Sequence, residues 1–175
     1  MTGKRCGLII EDIPEIRHEL EDRLAERGLR VWSWTNSDSL KSKVRKLALQ
    51  PNDLVVVIAD LVDASRTRDA AELPEVLDQV GQRVTDLDQL IKLLPVRHQV
   101  FIFSFGLSRF TASDSETERF MVITRVMNPL KDLGVNELNI IPKLGTNREA
   151  PSFTTGLKQL GERIDSFLDS TISQP

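Results

Sequence analysis

The sequence predicts a doubly wound parallel α/β sheet with helices covering both faces. Short β-forming apolar runs recur along the chain, and between them the apolar residues switch to helical spacing. One run, "DLVVVIAD", is apolar at every position from 54 to 59, which suits a strand buried on both faces. Parallel neighbours need a covering crossover between them, so strand–helix alternation leads to right-handed βαβ units.

Residues 6–11 read as a short buried strand. The stretch "DIPEIRHELEDRLAERG" then places Ile16, Leu20 and Leu24 on one helical face, with Pro14 suited to the first turn and Gly28 to the stop. "LRVWSW" is the second strand. In "NSDSLKSKVRKLAL", Leu40, Val44 and Leu47 recur at helical intervals behind a cap at Ser37 or Asp38. After the third strand, Val76, Leu77, Val80, Val84, Leu87, Leu90 and Leu94 trace a long helix over 73–94 with Gly81 as its weak point. "QVFIFSFG" is the fourth strand. Ser115 and Glu118 stand at capping-box spacing ahead of a helix carrying Phe120, Ile123, Met127 and Leu130, which Pro129 kinks or shortens. "ELNII" is the fifth strand, and "TTGLKQLGERIDSFL" closes the chain as a helix with Leu157, Leu160, Ile164 and Phe167 inward.

Bulk properties fit one folded domain over 1–175. The chain has 175 residues, 40% of them hydrophobic and 28% charged, within the range of a single domain of about 100–200 residues. A formal charge of −3 offers no general attraction to nucleic acid or anionic membrane. No apolar run approaches the roughly 18 residues of a membrane span, and the amino terminus lacks a signal-peptide core. The lone Cys6 reads as a small buried hydrophobe, and a chain without an internal disulfide suits the cytoplasm.

In a doubly wound sheet, ligands bind outside the carboxyl ends of the strands. Those ends deliver Glu11 and Asp12 from the first strand, Asp60 from the third, Ser104 from the fourth and Lys143 from the fifth. A carboxylate cluster is self-repulsive, and Mg²⁺, which prefers a few carboxylates plus waters, stabilises one. Lys143 adds a second positive charge.

This set resembles the receiver domain of two-component response regulators. "GLIIEDIPEIRHELEDRLAERGLRV" is similar to that family's first strand, acid pair, first helix and second strand. "LVVVIADLVDA" is similar to its third strand, "VFIFSFG" to its fourth with the hydroxyl residue, and "LNIIPK" to its fifth with the lysine. The resemblance implies strand order 2-1-3-4-5 and a phosphoprotein with Asp60 as phosphoacceptor. It further implies Mg²⁺ held by Asp12, Asp60, Glu11 partly through water, and the backbone carbonyl of Val62. Lys143 would pair with a phosphate oxygen, and Ser104 would move to hydrogen-bond another. A sensor histidine kinase or phosphotransfer protein as donor and a downstream protein partner follow from the same resemblance, with homodimerisation left open.

The sequence departs from the family in three places. Pro142 precedes Lys143 where the family has lysine and then proline; Phe105 follows Ser104 where a small residue is usual; and no aromatic stands in "ELNII". Extra length near 64–75 and 106–118 reads as insertions beside the active face, and no output domain follows the last helix. Asp63 reads as a cap or turn residue. His18 and His98 lack metal-ligand spacing, Trp32 and Trp34 read as packing residues, and "KSKVRK" as the solvated face of its helix. There is no glycine-rich phosphate loop and no G-x-S-x-G elbow. The alternatives to a phosphoacceptor are a pseudo-receiver that works by contacts alone and a metal-dependent phosphohydrolase or nuclease.

Overall fold

Alternating side chains sort the apolar residues of the strands into two cores, one on each face of a single sheet. A computed structural model describes residues 3–35, 44–62, 73–94, 96–104, 115–143 and 151–172. Its elements are β1 (Arg5–Ile10), α1 (Pro14–Glu26), β2 (Arg30–Trp34), β3 (Leu54–Ala59), α2 (Leu73–Ile91), β4 (Arg97–Ser104), α3 (Glu116–Val122), α4 (Asn128–Asp132), β5 (Ile140–Pro142) and α5 (Pro151–Ile172). The five strands are all parallel, in the order β2-β1-β3-β4-β5.

Cys6, Leu8 and Ile10 of β1 share one core with Val55, Val57 and Ala59 of β3 and with Val80, Val84 and Leu87 of α2. Ile9, Val56 and Ile58 point the other way, onto Ile16, Leu20 and Leu24 of α1 and Leu157, Leu160 and Ile164 of α5. Each fully buried Leu or Ile stabilises the fold by about 1.5–3 kcal/mol. The chain builds outward from β1 to β2 and then reverses through β3, β4 and β5, so the strand order switches between β1 and β3. A crevice outside the carboxyl ends of those two strands is where a doubly wound sheet binds ligands.

Helix punctuation follows the sequence closely in α1. Pro14 opens it, and Gly28 adopts φ 75° while the Leu29 N–H donates to the Leu24 carbonyl at 3.1 Å, the wrap that a left-handed residue permits. Gly81 does not interrupt α2. Of the expected second helix, 36–43 lies outside the described residues, and the described end is a single 3₁₀ turn, Arg45–Leu47.

Three expectations are corrected. The helix before β5 buries Val122, Val126 and Leu130, while Phe120 and Ile123 are 67% and 49% exposed. A π-helical segment, Ile123–Met127, separates α3 from α4 just ahead of Pro129; proline brings no N–H and crowds the carbonyl four residues back, and the wider turn accommodates it. In "ELNII", Glu137–Asn139 is a 3₁₀ turn, because the Asn136 side chain accepts the Leu138 N–H at 2.9 Å and withdraws it from a ladder. In α5, Phe167 is only partly buried and Leu168 takes the inward place.

Candidate functional site

Register alone brings the site together. Ile10 pairs with Trp34 on one side and Ala59 on the other, so β1 and β3 run out level and their next residues are Glu11 and Asp60. The Asp60 N–H donates to the Ile10 carbonyl at 2.9 Å, and the Glu11 N–H to the Trp34 carbonyl at 3.0 Å. On the far side Ser104 pairs with Pro142, and the Lys143 N–H donates to the Ser104 carbonyl at 2.9 Å. Pro142 is tolerated because β5 is an edge strand. The inverted order of proline and lysine therefore does not turn Lys143 away from the site.

The side chains of Glu11, Asp60, Ser104 and Lys143 are all buried, and Lys143 is 0% exposed. Its ammonium donates to both Glu11 oxygens, at 3.0 Å to Oε1 and 2.9 Å to Oε2, and to Oδ2 of Asp60. Oδ1 of Asp60 accepts from the Ser104 hydroxyl at 2.6 Å and from the Val62 N–H at 3.0 Å. The Ser104 oxygen in turn accepts the Leu61 N–H at 3.1 Å. The Ile13 N–H donates to Oε1 of Glu11 at 3.1 Å. A buried acid at the end of an apolar strand is thus compensated by an ion pair and by a turn closed on its own carboxylate.

Glu11, Asp12 and Asp60 each offer a carboxylate oxygen within 4.8 Å of the others. The Lys143 ammonium pairs with two of these carboxylates, Glu11 and Asp60, and burial dominates the titration of Glu11. Burial pushes its carboxyl up to about 7; Lys143 opposes the rise and Asp60 adds to it. Burial alone would lower the Lys143 amine, but Asp60 and Glu11 outweigh it and hold the amine above its ordinary value, charged. An all-oxygen set of this kind fits a hard divalent cation such as Mg²⁺. Lys143 engages both Glu11 oxygens and Oδ2 of Asp60, so a cation bound here would share these carboxylates with the ammonium.

Glu11, Asp12, Asp60, Ser104 and Lys143, picked out from the strand ends, converge here. Val62 is buried in the same turn and joins it through its N–H. Phe105, Asp63 and most of the two expected insertions lie outside the described residues. Trp34 packs in the core and Trp32 against it, as packing residues. The sequence reading missed two arginines. Arg83 of α2 donates to the Asp60 backbone carbonyl at 3.1 Å, and Arg17 of α1 to the Glu11 carbonyl at 3.1 Å. Each looks in sequence like any polar helix position; only its place beside a buried helix face marks it.

Among the described residues, no helix is long and apolar enough to cross a membrane. No family model matches this chain, and no curated protein matches it in sequence. Solved structures similar to it include response regulators. One is the response regulator StyR, at 13% identity and TM-score 0.42, covering 95% of this chain and 66% of that one. Another is a response regulator receiver domain protein from Clostridium thermocellum, at 14% identity and TM-score 0.39, covering 94% and 98%.

Proposed function

We propose that this chain is a single receiver-like signalling domain of the cytoplasm that accepts a phosphoryl group on Asp60 with Mg²⁺ and acts through protein contacts. The observation that carries this reading is the meeting of Asp60 with Ser104, Lys143 and the acids Glu11 and Asp12 at the reversal of strand order. A carboxylate oxygen of Asp60 bonds to phosphorus as the bond from phosphorus to the donor's leaving atom breaks, and that atom departs with the electron pair. The donor is a sensor histidine kinase or phosphotransfer protein, whose phosphorylated imidazole provides such a leaving nitrogen. Lys143 pairs with one oxygen of the transferred group and Ser104 hydrogen-bonds another. Asp12, Asp60 and the Val62 carbonyl would hold Mg²⁺, with Glu11 acting through water. When bound, the cation offsets charge on the transferring oxygens.

A second reading rests on a specific observation. Asp60 is 2% exposed and both its carboxylate oxygens are engaged, which favours a module that keeps the acids for structure and works by contacts alone. Incubation with Mg²⁺ and acetyl phosphate, read by intact mass and tryptophan fluorescence, separates the two. One added phosphoryl group that disappears in Asp60→Asn supports the phosphoacceptor. No adduct and no Mg²⁺ affinity leaves the contact module, and turnover of a phosphate ester identifies a metal-dependent hydrolase instead.

A further inference from the structure

The turn after β3 is fastened at the N–H of each of its described residues, 60–62. The Asp60 N–H is held by β1, the Leu61 N–H by the Ser104 hydroxyl and the Val62 N–H by Oδ1 of Asp60 itself. β3 ends at Ala59, so the Asp60 carbonyl lies past the strand, and it takes its bond from the guanidinium of Arg83. A buried carbonyl needs a donor. Here the donor belongs to a different element, the long helix α2.

We propose that Arg83 is a positioning residue that couples the state of Asp60 to helix α2. The inference rests on the phosphoacceptor reading. A phosphoryl group on Asp60 competes for the Ser104 hydroxyl and the Val62 N–H, which releases Leu61 and lets residues 61–62 rearrange. The peptide carbonyl of Asp60 stays tied to Arg83, so the displacement and the added negative charge beside the guanidinium are borne by α2. Arg83 sits between Val80, Val84 and Leu87, which seat α2 on the sheet. The helix also meets the π-helical segment, where Arg125 donates to Asp78 at 2.8 Å. No aromatic residue stands in β5 and the chain has no tyrosine, so a rotating ring on that strand is not available as a route.

The test is hydrogen exchange of α2 peptides in the full chain, with and without Mg²⁺ and beryllofluoride at concentrations that saturate each variant, occupancy being followed by fluorine resonance. In the wild type, occupancy changes exchange across α2. In Arg83→Met the change in α2 is lost at full occupancy while the change at residues 60–62 remains, and Arg83→Lys, which retains one cationic donor nitrogen, restores part of it. An α2 response that persists in Arg83→Met overturns the coupling. If the wild type takes no beryllofluoride, the phosphoacceptor reading fails, and the coupling is judged on Asp60→Asn. That substitution must then alter α2 exchange when Arg83 is present and leave it unaltered in Arg83→Met; an equal effect in both, or none, overturns the coupling too. Should Arg83→Met not fold, Arg83→Leu, which likewise lacks a donor, carries the same comparison.

Discussion

The ammonium of Lys143 reaches both carboxylate oxygens of Glu11, at 3.0 and 2.9 Å, although 132 positions separate them in the chain. Both groups are buried, and the same ammonium pairs with Asp60. Lys143 is therefore the counter-charge on which two buried acids depend.

Lys143→Met leaves those acids facing each other without compensation. Removing one partner of a buried ion pair costs about 3–5 kcal/mol. Denaturant unfolding should show a loss of that order, and Mg²⁺ should recover more of it than it adds to the wild type, because a cation at the acid cluster replaces the missing charge. In the double variant Glu11→Gln, Lys143→Met the loss should be smaller than in Lys143→Met alone. A Lys143→Met protein as stable as the wild type without metal would contradict the burial of the pair.

Stability should fall as pH rises toward neutrality on account of Glu11. Burial raises its folded carboxyl from the ordinary 4.5 to about 7, so between those values the folded state binds more protons than the unfolded chain. Stability from this group is fully present below about 4.5 and lost as pH passes through about 7. Unfolding of the wild type and Glu11→Gln should be compared across this window, where other groups cancel. The difference should narrow toward its upper end; a constant difference would mean Glu11 titrates normally.

Asp53 shows the opposite sign. Its carboxylate accepts the Lys4 N–H at 2.7 Å and the Gln50 N–H at 2.8 Å, tying the start of β1 to the turn before β3. The Gln50 and Lys4 amides hold it below the ordinary carboxylate range, so its contribution is present above that range and is lost as pH falls through the depressed value. Asp53→Ala should cost about 1–3 kcal/mol at neutral pH, the penalty of two amides left without their acceptor. The cost should shrink in acid.

Two glycines of α5 should respond differently to alanine. A Cβ at Gly156 would lie 2.9 Å from the Pro142 carbonyl oxygen and 3.3 Å from the Phe103 ring. Backbone beside Lys143 cannot yield cheaply, and overpacking of this kind costs about 1–3 kcal/mol. A Cβ at Gly161 would meet only the tip of the Arg27 side chain, at 2.7 Å. That arm can swing aside, at the expense of an ion pair with Asp165 at a half-exposed carboxylate worth about 0–1 kcal/mol. Alanine's helix preference, about 1 kcal/mol over glycine, then makes Gly161→Ala neutral or stabilising. Thermal unfolding of the two variants should separate them, and Gly156→Ala should in addition weaken any Mg²⁺ affinity by moving the end of β5.

Much of the fold was legible because burial imprints a period on the chain. The apolar run 54–59 marked β3 as central, and Ile16, Leu20 and Leu24 marked the inner face of α1. Legibility failed where local polar chemistry or a breaker competes with the period. Asn136 turned half of "ELNII" into a 3₁₀ turn, and the π-helical segment before Pro129 moved the buried face from Phe120 and Ile123 to Val122 and Val126.

For the site, the sequence by itself determined which residues stand at the strand ends, since a strand's apolar run stops where its polar terminus begins. Tertiary structure alone decided that Lys143 reaches Glu11 and Asp60 despite the preceding proline, because the register of β4 and β5 sets where the chain emerges. It alone also decided that Arg83 meets the Asp60 carbonyl. An arginine on a helix edge has the same signature whether it faces water or a buried peptide, and only the packing of α2 on the sheet distinguishes the two.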